Sequence, residues 1–89
     1  MDVNETLQQR KKTHGRFEIN AIASQSLKNV IHNHACVVLS LVQNEALDAI
    51  CAKIARIITG DPNHADSWHD VAGYATLVEN IINEETPNE

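Results

Sequence analysis

Aromatic residues are almost missing from this chain: Phe17, Trp68 and Tyr74 are the three among 89 residues. A core must therefore be aliphatic, built from Ile, Leu, Val and Ala, and in so short a chain it is thin. Net stability of about 5 kcal/mol is the expectation, and burying a second apolar face in a homo-oligomer would add to it. Cysteine is also scarce, and Cys36 with Cys51 makes no disulfide-scaffold pattern. Both thiols are expected to be free, in a reducing cytoplasm. No apolar run approaches the ~18 residues of a membrane span. No signal peptide is expected, since residues 1–16 are polar and charged. Positive charge is outnumbered, with 7 Lys and Arg against 12 Asp and Glu. A net charge of −5 argues against general nucleic-acid binding, which needs a basic surface to release phosphate counterions. There is no glycine-rich phosphate loop and no local Ser/His/Asp or Cys/His nucleophile set.

What is present is helical patterning. Residues 2–12 have Asp2 as an N-cap and only Val3 and Leu7 as apolar positions, which predicts a short, fraying helix that ends at Gly15. Over 17–32, Ile19, Ile22, Ala23, Leu27, Val30 and Ile31 recur on one helical face. The stretch from His32 to Leu39 reads as a buried connector, because a lone strand at Val37–Leu39 would have no partner. Ser40 and Gln43 form a capping box for a helix over 41–59, with Leu47, Ile50, Cys51, Ile54, Ile57 and Ile58 as its stripe. Gly60 and Pro62 stop it, and Asn63 is the candidate cap for a helix over 64–83. That last helix is expected to bury Trp68, Val71, Ala72, Ala75, Val78 and Ile82, with Leu77 and Ile81 widening the face. Residues 84–89 read as a disordered acidic tail. The expected fold is all-α: one domain over 1–83, a compact and oligomeric bundle of three main helices with a short N-terminal one.

Helices joined by the four-residue turn Gly60–Asn63 run antiparallel, so residues equidistant from residue 62 lie at similar heights. Arg56 then falls between Asp66 and Asp70, and Lys53 beside Asp70. One reading is a set of interhelical ion pairs that fix register, each worth about 0–1 kcal/mol if exposed. The other is that Asp66 and Asp70 hold Mg²⁺ while Lys53 and Arg56 engage a phosphate. Glu45 and Asp48, with Glu79 at the same height, make a second acidic group about 20 Å from the turn.

Arg10, Lys11, Lys12, His14 and Arg16 place most of the positive charge within seven residues. This is either a solvated turn or a small anion site. His32, His34 and Cys36 alternate and would share a side if extended, but a fourth zinc ligand is absent. His64 and His69 flank the acids of the last helix and read as surface residues. Trp68 and Tyr74 are either core or stacking groups for a nucleobase. Gly73, inside a helix, costs ~1 kcal/mol against alanine, which suggests that another helix or a ligand needs the space.

The run Glu45–Arg56 with Lys53-x-x-Arg56, followed by Asp66-x-x-x-Asp70-x-Ala72-Gly73-Tyr74, resembles a set of small phage and prophage proteins. Thr13–Asn20 resembles their Gly-x-Phe-x-x-Asn segment. Those proteins are in turn loosely similar to the MazG-like all-α nucleotide pyrophosphohydrolases, which hold Mg²⁺ on Glu-Glu-x-x-Glu and Glu-x-x-Asp helices. Glu45-x-x-Asp48 resembles half of that pattern, while Asn44 and the four-residue Asp66–Asp70 spacing depart from it. The resemblance implies Mg²⁺ on Asp66, Asp70, Glu45 and Asp48, phosphate contacts from Lys53, Arg56 and Arg16, and ligand contacts from Asn20 and Tyr74. Two functions follow as expectations. One is a phage accessory protein that binds, or as a pyrophosphohydrolase cleaves, a nucleotide-like phosphorylated ligand. The other is a non-enzymatic module that binds a host protein or sequesters a ligand.

Overall fold

The computed structural model describes residues 2–85. Four helices are found among them and no strand: α1 (Val3–His14), α2 (Phe17–His34), α3 (Leu41–Thr59) and α4 (Ala65–Glu85). The all-α expectation holds. Local chemistry sets most of the ends. The Asp2 carboxylate accepts from the Glu5 N–H at 2.8 Å and starts α1. Ser40 Oγ accepts from the Gln43 N–H at 3.0 Å, and Gln43 Oε1 accepts from the Ser40 N–H at 2.9 Å, completing the capping box of α3. Beyond α3, the Asp61 carboxylate accepts from the Asn63 N–H at 2.9 Å, an Asx turn in which Asp61, not Asn63, supplies the side-chain oxygen. Trp68 Nε1 donates to the Pro62 carbonyl at 2.8 Å and ties the turn to the first turns of α4. Glu84 and Glu85 continue that helix rather than opening a tail, and positions 86–89 of the expected tail lie outside the described residues.

α3 lies in the middle. It packs against α4 on one side and α2 on the other, α1 touches α2 and α3 near the turn, and among the described residues α2 does not meet α4. The result is an open layer of helices rather than a closed bundle. Its extents are 50 × 27 × 23 Å and its radius of gyration is 15.5 Å, against about 12 Å for a compact domain of this length. The expectation of compactness is corrected here.

The buried side chains are small: Ser24 on α2, Ala46, Cys51 and Ala55 on α3, and Ser67 on α4, with Ile57 the one larger member. Small residues let neighbouring helix axes approach closely, so these positions take the helix contacts. The wide aliphatic stripes lie partly outside. Ile58 is 65% exposed, Trp68 56% and Val30 58%, and Ile19 and Ile22 are also exposed. Ala72, Ala75 and Leu77 are exposed on α4, where Val71, Tyr74, Val78 and Ile81 are half-buried instead. The stripes are real, but each spans more of the helix circumference than one neighbour covers. The connector 35–40 is likewise not buried: Val37 and Val38 face outward.

Gly73 corrects another expectation. A Cβ built there meets nothing within 4 Å, so neither a packed helix nor any other group claims the space. Gly73→Ala should therefore stabilise the chain by about 0.5–1 kcal/mol through helix propensity alone. A thermal melt should show a rise of several degrees; a fall would mean that something occupies that surface.

Candidate anion site

The corner where α1 turns into α2 is built on two glycines. Gly15 ends α1 at φ 77°, ψ −170°, a conformation that only glycine adopts without strain. A Cβ on it would stand 2.0 Å from the Thr59 carbonyl oxygen, and one on Gly60 would stand 2.3 Å from the Thr13 carbonyl oxygen. The end of α1 thus lies backbone against backbone on the end of α3. Hydrogen bonds fix the crossing: the Asp61 N–H donates to the Thr13 carbonyl at 2.9 Å, and Thr59 Oγ1 reaches the His14 carbonyl at 3.3 Å. Asn20 Nδ2, from the first turn of α2, donates to that same carbonyl at 3.4 Å.

This crossing brings Arg56, one turn before Gly60, beneath the basic end of α1. A cavity of about 370 Å³ opens there, lined by Arg10, Lys11, His14, Arg16 and Arg56 together with Leu7, Gln8, Gly15, Phe17, Glu18 and Asn20. Arg16 is engaged by Glu18, with its Nε at 2.8 Å from the carboxylate. The Glu18 backbone N–H, then the Arg16 guanidinium, hold that carboxyl below its usual range. Arg10, Lys11 and Arg56 have no carboxylate within ion-pair distance among the described residues. In a chain with more acids than bases, three cations left without a carboxylate around one cavity are unusual.

His14 sits among these charges. Its ring meets that of His64 edge to face, with centroids 6.2 Å apart. Burial, then Arg56, Arg10, His64 and Lys53, push its pKa below the ordinary 6.5. The folded chain resists protonating it, so the linked stability is lost as pH falls below 6.5. A bound anion would offset the cationic neighbours and favour the protonated ring. Anion affinity should therefore rise as pH is lowered through the histidine range.

The other residues singled out from the sequence lie elsewhere. Lys53 Nζ and Asp70 Oδ2 are 2.9 Å apart, as the antiparallel register requires, and Lys53 holds the Asp70 carboxyl below its usual range. Arg56 does not join them. It lies about 60° round α3 from Lys53 and turns toward α1. Asp66 is 86% exposed, with His64 Nε2 4.0 Å away. Asp48 Oδ1 faces His32 Nε2 at 3.0 Å, and Glu45 is exposed. Tyr74 lines a separate, shallower depression with His69, Asp70, Gly73 and Leu77. The expected grouping thus divides: Arg16, Arg56 and Asn20 come together, whereas Lys53, Tyr74 and the four acids do not join them. Among the described residues no three His, Cys, Asp or Glu side chains are placed to share a metal ion. Nor do His32, His34 and Cys36 form an extended ligand row, because both histidines belong to the last turn of α2. The basic run was visible in the sequence, but its meeting with Arg56 was not. The signal lay in Gly15 and Gly60, which mark where two helix ends can touch.

Fold and corner together define an all-α chain in which an open helical layer carries a basic pocket. A family model described as a domain of unknown function, DUF6378, matches residues 2–82, and the chain belongs to that family. No curated protein and no solved structure matches it.

Proposed function

We propose that this DUF6378 chain binds a phosphorylated, nucleotide-like small molecule in the pocket between α1, the start of α2 and the end of α3. The observation that carries the reading is the convergence of Arg10, Lys11 and Arg56 on one cavity, with no carboxylate among the described residues paired to them, in a chain of net charge −5. Guanidinium groups suit phosphate oxygens because their N–H donors form a planar fork. The uncapped start of α2 adds the positive end of a helix dipole. Phe17, 82% exposed at the rim, offers a flat apolar surface for a base.

Binding is favoured over hydrolysis. Among the described residues Glu18 is the one carboxylate on the pocket wall and it is held by Arg16, so no free carboxylate faces the cavity. Asp66, Asp70, Glu45 and Asp48 form no protein cage for Mg²⁺, so the ion would enter with the ligand's own phosphates. The resemblance to small phage proteins supplies a setting, an accessory protein in the cytoplasm of a bacterial host, and we take the working unit to be a homo-oligomer.

Thermal-shift measurements with inorganic pyrophosphate, a nucleoside monophosphate and a nucleoside triphosphate, each with and without Mg²⁺, test the reading. The unfolding midpoint should rise with phosphate number and fall back as salt is added. No shift with any of them at low ionic strength would defeat it.

A further inference from the structure

We propose that the side of the helical layer facing away from α1 is a self-association surface, on which a second copy of this chain lays the same face to close a two-layer bundle. The proposal deepens the homo-oligomer reading by assigning its surface. Lys53 and its ion pair mark the line along which α3 meets α4; Asp48, facing His32 of α2, and Cys51, near Lys28, mark the opposite line. Between those lines α3 has two free flanks. One carries Glu45 and Arg56 and holds the pocket. The other carries Ile54 and Ile58, both exposed. At about 100° per residue, antiparallel α2 turns Ile19 and Val30 to that second flank, and α4 turns Trp68 and Ala75 to it.

Three observations select a second copy as the occupant. The chain exposes 6681 Å², against about 5,200 Å² for a compact chain of 9.9 kDa. The excess of roughly 1,500 Å² exceeds the ~800 Å² that each partner gives to a standard interface, and obligate dimers give more. No large side chain among the described residues is fully buried, so covering the apolar face would supply the large buried side chains that the small core of Ala46, Cys51, Ala55 and Ile57 lacks. A copy synthesised with it is always available to do so. Charge agrees: from Ile19 to Leu27, α2 has no charged residue although its outer half faces solvent. Loss of charge at the centre of a patch is the compositional mark of an interface, and an uncharged face meets its own copy without repulsion.

Light scattering on the full chain, with thermal unfolding over a hundredfold concentration range, reads this directly. The expected mass is twice 9.9 kDa, with a midpoint that rises with concentration. Ile58→Arg should weaken association at least a hundredfold, while Leu77→Arg, exposed on the flank away from the proposed interface, should leave it unchanged. An Ile58→Arg chain that fails to fold also supports the assignment, because an isolated chain with Ile58 65% exposed would tolerate arginine. A 9.9 kDa species with a concentration-independent midpoint overturns self-association and leaves the face to a different protein. A dimer indifferent to Ile58→Arg but split by Leu77→Arg overturns the surface alone.

Discussion

Gly15→Ala should remove most of the protein's stability. Two costs combine. The backbone at φ 77°, ψ −170° is strained for any residue with a Cβ, by about 1–3 kcal/mol. The new methyl would also stand 2.0 Å from the Thr59 carbonyl oxygen, so the ends of α1 and α3 must separate. Forcing atoms into a packed contact costs about 1–3 kcal/mol more. Together these approach the ~5 kcal/mol expected of so thin a core. Gly60→Ala probes the second cost without a left-handed φ, its own being −124°, while its Cβ would still meet the Thr13 carbonyl at 2.3 Å. Urea unfolding followed by circular dichroism should rank wild type above Gly60→Ala, with Gly15→Ala last. A Gly15→Ala urea midpoint equal to that of wild type would mean that the two helix ends do not touch.

Arg56→Gln should reduce affinity for pyrophosphate by roughly 10- to 100-fold, the equivalent of losing a charged hydrogen bond worth about 1.5–3 kcal/mol. Glutamine is shorter but keeps an unbranched stem and a polar head, so stability should change little. Among the described residues Arg56 has no carboxylate partner to leave stranded. Lys53→Gln is the comparison. It breaks the pair with Asp70 and leaves the pocket lining intact, so it should lower stability slightly and affinity far less. The Lys53–Asp70 contribution is lost as pH falls, since the paired carboxyl titrates below its ordinary 3.8. Equal losses of affinity in both variants would indicate diffuse charge rather than a built pocket.

Much of the fold was legible from short-range chemistry. Asp2, Ser40 with Gln43, and Gly60 followed by Pro62 mark helix ends because capping depends on residues three or four positions apart. The antiparallel register that pairs Lys53 with Asp70 follows from turn length alone. What escaped was rotation about each helix axis. A stripe such as Ile54, Ile57, Ile58 shows that a helix has an apolar side, but not which neighbour takes it. The buried positions include Ser24, Ala46, Ala55 and Ser67, whose small size matters more than their hydropathy. Arg56 lines the pocket beside α1 rather than joining Asp66 and Asp70 for the same reason. Distance from the turn fixes position along the axis, whereas the meeting of Gly15 with Gly60 decides which flank α1 covers.

Calorimetric titration of inorganic pyrophosphate into the full chain at low ionic strength, with and without Arg56→Gln, bears most directly on the basic pocket. One site per chain is expected, with affinity that tightens below pH 6.5 as His14 takes up a proton and falls steeply in the variant. No heat of binding, or a weak uptake of several ions per chain that Arg56→Gln leaves untouched, would contradict it.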